Sequence, residues 1–507
     1  MRSNVLRTAQ GGLRCLLRRP VSRNSKLTYQ SCRSFISTPS YREERKWTTP
    51  LAKQLTEAIN TTGPIPLASY MRMCLTSDIG GYYTGAIEKG RDQFGQKGDF
   101  ITSPEISQIF GELIGIWFVA EWMSQGRPKQ GVELIEVGPG RGTLMDDMLR
   151  TMRNFKDMTS SIETVYMVEA SSELRTAQKN LLCGEDAVLT ESKIGWHSTS
   201  KYSSLPIVWT DSIKAIPQDP SKTPFIVAHE FFDALPIHAF QVVEVPPNQQ
   251  PANPDSTPST NSTPNAPKYQ WREMVVSPTP QGTTHADLHT PKSAQHEPVP
   301  EFQLTLSPTS TRHAQYLPSS SPRYRALAST PGALIEICPD ASLYASDFAS
   351  RIGGSTLTHH AHAKPRASGA ALVLDYGPAA TIPANSLRGI RAHARVSPFG
   401  APGRVDLSAD VDFGALAEAA TRASGGVECH GPVDQAYFLE AMGIRQRAEM
   451  LGRHVEDEGK RKELERSWKR LVDRGPGGMG KVYKVLAILP ENGGRRRPVG
   501  FGGDVSA

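Results

Sequence analysis

A run of glycines, Gly138-Pro-Gly140-Arg-Gly142, follows the short apolar segment 133–137 and leads into a helix-patterned stretch at 144–152. Glycines at a strand-to-helix turn let the backbone bend sharply and let a ligand approach the helix N-terminus. The spacing narrows the ligand. A dinucleotide fingerprint requires Gly or Ala three residues after the second glycine, and that position is Thr143. Glu136 stands just before the loop, and a carboxylate there suits an amine or sulfonium better than a pyrophosphate. The next apolar segment, 164–168, ends in Glu169, where an acid could hold both hydroxyls of a ribose. A third, 207–209, is followed by Asp211-Ser212, suitably placed for an adenine amine. A fourth, 225–228, leads into His229-Glu230-Phe231-Phe232-Asp233, which sets two carboxylates and two aromatics in one turn. Upstream, Tyr82 and Tyr83 lie in a glycine-rich turn and could wall a pocket.

These residues need strands that end at a common edge. Strand patterns at 133–137, 164–168, 207–209, 225–228, 372–374 and 482–489 are separated by helical ones at 144–152 and 172–182. Such alternation predicts an α/β fold with a mainly parallel, doubly wound sheet. Strand, glycine loop, helix, strand, acid is similar to the layout of class I S-adenosylmethionine (SAM) methyltransferases. That layout implies a Rossmann-like core in which Glu136, Gly138, Gly140, Gly142, Glu169, Asp211 and Ser212 hold SAM. The fold expected is this core with an N-terminal helical region and an inserted β-hairpin. A helix is predicted over 47–60. A second, long one is predicted to open at Ser103 as cap, with Pro104 in its first position and Glu105 complementing its dipole. Its continuation, 106–122, is apolar on most faces and should be buried.

With 507 residues, 38% hydrophobic, the chain is too long for one typical domain and too apolar to be wholly disordered. Six cysteines with no C-x-x-C pair argue against a disulfide scaffold or a zinc module and suit a reducing compartment. Residues 1–42 carry eight Arg, one Lys and no acid, so the rest of the chain has a net charge of 6 − 9 = −3. The body therefore offers no electrostatic case for nucleic acid. The leader has Leu6, Leu13 and Leu17 on one helical face and Arg7, Arg14 and Arg18 beside them, the pattern of a mitochondrial transit peptide. The apolar stretch 113–120 is far short of the roughly 20 residues that a membrane span needs. Residues 246–331 hold 16 of the 39 prolines and are otherwise rich in polar residues, which reads as disordered tracts around a hairpin of 269–276 and 302–306. A Gly/Ser/His stretch at 353–370, with His359, His360 and His362, reads as a solvated loop and not as a metal site.

The resulting organisation is a leader at 1–42, a helical region at 43–130, a SAM-binding core at 131–245, the insert at 246–331, the rest of the methyltransferase fold with its substrate region at 332–490, and a disordered tail at 491–507.

Three long motifs carry a specific resemblance: the segment 98–107 (Gly-Asp-Phe-Ile-Thr-Ser-Pro-Glu-Ile-Ser), the glycine loop with its strand, and Glu230-Phe-Phe-Asp-Ala-Leu-Pro236. With the stretches 387–413 and 431–439, they make the chain similar to the MidA-type mitochondrial protein arginine methyltransferases, the complex I assembly factor seven family. The sequence departs from that pattern at His229, where the family often has Asn. The resemblance implies a mitochondrial matrix enzyme that symmetrically dimethylates an arginine on a core subunit of complex I and so supports its assembly. It implies that Gly138, Gly140 and Gly142 cradle SAM and that Glu169 holds its ribose. A guanidinium stays protonated, with a pKa above about 12, so its methylation needs carboxylates that accept its N–H bonds. Glu230 and Asp233 are the candidate catalytic clamp, with Tyr82, Tyr83, Phe231 and Phe232 as substrate-facing aromatics. Two other readings remain open on these residues: a non-catalytic complex I assembly chaperone, and a methyltransferase of small molecules. The composition of the insert predicts that deleting 247–267 and 279–299 leaves the melting temperature nearly unchanged, since long surface insertions cost little to close. Differential scanning fluorimetry of the two deletions checks this.

Overall fold

The computed structural model describes residues 45–84, 98–245, 268–355 and 364–502. The arginine-rich leader, the tract 247–267 and the histidines at 359, 360 and 362 lie outside these residues. The main sheet has nine strands, numbered in chain order: β1 Val132–Val137, β2 Ile162–Val168, β3 Thr190–Ser192, β4 Gly195–Thr199, β5 Pro206–Thr210, β6 Thr223–His229, β7 Ala370–Tyr376, β8 Val427–Asp434 and β9 Tyr483–Pro490. Their spatial order is β8-β9-β7-β6-β1-β2-β5-β4-β3. The five strands from β7 to β5 run parallel, β9 lies antiparallel between β7 and β8, and β4 and β3 finish the opposite edge in antiparallel fashion. The chain moves outward from β1 on one side and then returns to β6 on the other. Ligands of doubly wound sheets bind at the carboxyl ends of the strands flanking such a switch.

The register aligns those ends. Val137 pairs with both Val168 and Ala228, Val168 with Thr210, and His229 with Leu374. The turns after β1, β2, β5, β6 and β7 therefore leave at one edge. Pleating assigns alternate residues to two cores. Leu134 joins Trp117, Phe118, Val165, Phe225 and Leu372 on one face, while Ile135 and Val137 join Ile226, Val373, Phe348 and Phe413 on the other. Helices Gln108–Ser124 and Thr143–Met152 cover the first face, and Pro339–Gly353 and Phe413–Ala423 the second. All six residues of β1 are buried, as a parallel strand covered on both sides requires.

The region before β1 departs from the expected single helix. Thr102, not Ser103, caps a short turn, Ser103–Ile106, in which the Glu105 carboxylate accepts from the Thr102 N–H at 3.2 Å and its hydroxyl at 3.3 Å. Ser107 is extended, and the long helix begins only at Gln108. The first N–H of the turn, that of Ser103, is satisfied by another carboxylate, that of Glu230, at 3.3 Å.

The expected hairpin is present, with Leu304 opposite Val276, but it belongs to a larger antiparallel sheet. That sheet is ordered Ile65–Pro66, Lys268–Pro278, His238–Val245 and Leu334–Ile337, with Phe302–Leu306 also paired to Lys268–Pro278. Helices Pro50–Thr62 and Leu67–Thr76 pack Leu51, Tyr70 and Met71 against its Val276 and Phe302. A small third sheet is formed by Ala394–Val396, Arg388–Arg391 and Asp406–Ser408.

Two disorder expectations are corrected. Residues 279–300 are tied down by polar pairing in place of apolar burial: the Thr279 N–H donates to the Glu301 carbonyl, and the Glu297 carboxylate accepts the Ser397 N–H at 3.0 Å. The Glu301 carboxylate in turn accepts the Thr48 N–H at 2.8 Å and its hydroxyl at 2.5 Å. The tail also docks, up to residue 502. Arg496 grips Glu121 at 2.9 and 2.7 Å, the Trp117 indole N–H donates to the Val499 carbonyl at 3.1 Å, and Phe501 packs on Trp117 and Phe438. Among the described residues no helix is long and apolar enough to cross a membrane.

This anchoring changes the expected outcomes. Deleting 279–299 should lower the melting temperature by several degrees, while deleting 247–267 should not. Phe501→Ala, which removes a buried ring from the junction of Trp117 and Phe438, should cost about 3 kcal/mol in chemical denaturation. A tail that contributed nothing would give no change.

Candidate active site

At the shared edge of β1, β2, β5, β6 and β7 opens a cavity of about 790 Å³. This is within the usual range for small-molecule sites, roughly 300–1,000 Å³. One end is built by the glycine loop. Gly138 (φ +67°) and Gly140 (φ +52°) line the cavity in left-handed conformations. A Cβ on Gly138 would lie 2.5 Å from the Phe231 ring, so the loop can pass only as glycine. Glu136 lines the same space. Burial, reinforced by the neighbouring Glu169, pushes its carboxyl well above the usual range, and its Oε2 has no hydrogen-bond partner among the described residues. Glu169 is better satisfied: Oε1 accepts from the Ser171 N–H at 2.8 Å and Oε2 from the Gln178 amide at 3.1 Å. Burial still raises its pKa to about 7.

Gln178, on helix Ser172–Cys183, is the residue that binds this end together. Its amide N–H groups also reach the Gly140 carbonyl at 2.6 Å, and its Oε1 accepts the Trp209 indole N–H at 3.0 Å. One fully buried side chain thus sets the distance between glycine loop, ribose-type acid and β5. A lone Gln in a helical pattern carries no signal in sequence.

The other end is built by the turn after β6. Glu230 adopts φ +48°, its N–H donates to the Leu374 carbonyl at 2.9 Å, and its carboxylate accepts from the Ser103 N–H and the Tyr483 hydroxyl. Burial, with Asp233 nearby, raises its pKa to about 8. Asp233 accepts a hydrogen bond from the Tyr376 hydroxyl on Oδ2, while its buried Oδ1 has no partner among the described residues. Its pKa is raised by burial. Asp375 spans the turn, its Oδ2 accepting the N–H groups of Phe231 at 3.2 Å, Phe232 at 2.9 Å and Asp233 at 3.3 Å. Asp406 closes the wall, accepting the Tyr83 hydroxyl at 2.9 Å, with a pKa raised to about 8 by burial and by Asp233. Against these acids stands Arg388, bonded to Asp410 at 2.6 Å and lying 4.5 Å over the Tyr376 ring. His229 lines the cavity beside them. Burial lowers its pKa to about 3, so the ring is neutral, and its Nε2 lies 3.2 Å from Glu230 without hydrogen-bond geometry.

The structure brings most of the expected residues to one cavity: Glu136, Gly138, Gly140, Glu169, Asp211, Glu230, Phe231, Asp233 and Tyr83 all line it. Four do not. Gly142 (φ +84°) caps helix Thr143–Met152 and packs against Gln178, so its glycine is a backbone requirement and not a ligand contact. The Ser212 hydroxyl caps the turn that follows it, accepting from the Lys214 N–H at 3.3 Å. Phe232 is a core residue against Tyr344 and Phe348. Tyr82 packs edge-on behind Tyr83 and donates to Asp99 at 2.8 Å. Sequence reasoning missed Gln178, Asp375, Tyr376, Arg388, Asp406 and Tyr483. Only Asp375 had a signal available, as an acid at the end of the strand expected over 372–374.

A glycine loop with no room for a side chain, a carboxylate with one unpartnered oxygen beside it and an acid on the next strand fit S-adenosylmethionine. The fold and cavity thus define a class I SAM-dependent methyltransferase. Residues 113–433 match the family model described as "Putative S-adenosyl-L-methionine-dependent methyltransferase". The chain is 33% identical over 484 residues to the rat mitochondrial protein arginine methyltransferase NDUFAF7, covering 94% of this chain and 93% of that protein. It is 34% identical to the human protein of that name over 454 residues, 88% and 86% of the two chains. The Drosophila melanogaster homolog is 35% identical over 447 residues, 87% and 85% of the two chains. A Burkholderia thailandensis structure bound to S-adenosyl-homocysteine shares the fold, with a TM-score of 0.59 at 20% identity over 90% of this chain and 93% of that one. The chain belongs to this family of SAM-dependent methyltransferases, and its cofactor is S-adenosylmethionine.

Two outcomes test the cofactor end by calorimetry. Gly138→Ala and Gly140→Asp should weaken SAM binding at least tenfold, because the first drives a Cβ into the Phe231 ring and the second puts a carboxylate on a left-handed backbone position at the cavity wall. Glu169, with its pKa near 7, accepts hydroxyls best when ionised, so affinity should fall as pH drops from 8 to 6.

Proposed function

We propose that this protein is a mitochondrial protein arginine methyltransferase that symmetrically dimethylates an arginine of a core subunit of complex I and thereby supports its assembly. The relatives named above are called mitochondrial protein arginine methyltransferases, and the acid-free leader suits import into the matrix. The observation that carries the reading is the unpartnered Oδ1 of Asp233 in a cavity that Glu230 and Asp406 also line. A pocket with this surplus of carboxylates favours a cation, and a guanidinium can donate to two of them at once.

Bound SAM supplies an electrophilic methyl group. The protein does the rest. Glu230 and the free oxygen of Asp233 accept N–H bonds from the guanidinium and orient one nitrogen. The Tyr376 hydroxyl and the N–H groups held by Asp375 keep the clamp from collapsing on itself. Each methylation releases one proton overall, and Glu230, poised near pKa 8, is able to take it.

The sign of the pH dependence follows. A guanidinium favours the ionised carboxylates, so KM for an arginine peptide should fall as pH rises from about 6.5 to 8.5, and Glu230→Gln should flatten that profile. Asp233→Asn should keep SAM binding while lowering kcat/KM about a hundredfold, in line with the roughly 2–5 kcal/mol that a lost buried charge partner costs. Mass spectrometry of complex I core subunits tests the substrate. Symmetric dimethylarginine should be present with the protein and absent without it; equal methylation in both would overturn the reading.

A further inference from the structure

Three residues outside the active site converge with metal-ligand chemistry. His238 and Glu273 lie diagonally on adjacent strands, His238–Val245 and Lys268–Pro278, where Phe240 pairs with Glu273. His313 comes from the short helix Arg312–Tyr316 laid over them. The His238 Nδ1 lies 2.8 Å from Glu273 Oε1, and the His313 Nδ1 lies 3.3 Å from both carboxylate oxygens. The two rings are 4.3 Å apart between centroids. One donor atom from each of the three residues falls within 4.8 Å of the others.

We propose that His238, Glu273 and His313 form a site for a divalent transition ion of the zinc class, one that clamps the segment 307–316 onto the antiparallel sheet. Two imidazole nitrogens and one carboxylate oxygen are a common zinc donor set, and a fourth position is left for water. Ligand atoms around a tetrahedral ion about 2 Å away are about 3.3 Å apart, against 2.8 and 3.3 Å for the two His–Glu pairs here. Glu273 is fully buried and held in place by the Thr311 hydroxyl at 2.5 Å, so the carboxylate is oriented before any ion arrives. The His313 side chain is 47% exposed, which gives an ion an entry path. The alternative use of these groups is a hydrogen-bonded trio that needs no ion, and the two differ in stoichiometry and affinity.

The experiment uses full-length protein carrying His359→Ser, His360→Ser and His362→Ser, which removes the other histidine-rich stretch, after chelator treatment and dialysis. Zinc chloride is titrated calorimetrically, and the melting temperature is read with and without zinc. One equivalent should bind with micromolar or tighter affinity and raise the melting temperature by a few degrees. His313→Asn, at a half-exposed position where folding is not at stake, should weaken binding at least tenfold, and Glu273→Gln should do the same. Cobalt chloride should give visible absorption in the parent and lose it in His313→Asn. Absence of stoichiometric zinc binding in the parent, or unchanged binding in His313→Asn, would overturn the proposal. SAM binding, measured in parallel, should not change in any variant, which separates this site from the active site.

Discussion

The active site depends on one buried carboxylate. Asp375 ends β7, and through a single oxygen it accepts the N–H groups of Phe231, Phe232 and Asp233. Those three donors would otherwise be left over where β6 stops and the chain turns. Their capture holds Glu230 at φ +48°, a conformation that costs a non-glycine residue on the order of 1–3 kcal/mol and persists only where its surroundings impose it. The same turn carries Asp233 into the cavity and sets Phe231 against Gly138, so the substrate end and the cofactor end share one support. Because Phe232 and Asp375 are 143 residues apart, the site exists only after β6 and β7 have paired across the whole insert.

The acids that make the cavity useful also make it costly. Glu230 and Asp406 are raised to about 8 because burial penalises their charge and Asp233 adds repulsion. A carboxyl whose pKa is raised by folding binds its proton more tightly in the folded than in the unfolded chain. Its contribution to stability is therefore greatest at low pH and is lost as pH climbs toward 8. A cationic ligand reverses the balance by making the ionised forms the favourable ones. Arg388 offsets part of the surplus, but it is already bonded to Asp410 and stacked over Tyr376, which leaves Asp233 with an oxygen to offer.

Local chemistry made much of this legible. The glycine loop, the acid after β2 and the Glu-Phe-Phe-Asp turn after β6 each sit at a strand end, and an alternating strand-and-helix pattern sends such ends to one edge. The hairpin was legible from its period-2 pattern, though not the strand His238–Val245 to which it pairs. Composition misled where polar pairing replaces apolar burial. The segment 279–300 is proline-rich, yet it is held through Glu297 and Glu301, and the polar tail docks through Arg496, Val499 and Phe501. Neither contact has a local signature, because the partners, Ser397, Thr48, Glu121 and Trp117, are far away in the chain.

The sequence by itself determined which loops meet the ligand, since strand periodicity and glycine spacing are properties of neighbouring residues. It also determined the class of cofactor, through a loop that departs from the dinucleotide pattern and has an acid before it. Tertiary structure decided which neighbours do what. Gly138 and Gly142 look alike in the motif, but one packs directly on Phe231 at the cavity wall and the other on Gln178 behind it. Tyr82 and Tyr83, like Phe231 and Phe232, are adjacent residues divided between core and cavity by the direction of a turn. The electrostatic character of the pocket was likewise a tertiary outcome. It arises from Glu230, Asp233, Arg388 and Asp406, brought from separate parts of the chain to one volume, where burial and mutual repulsion change what a carboxylate can do.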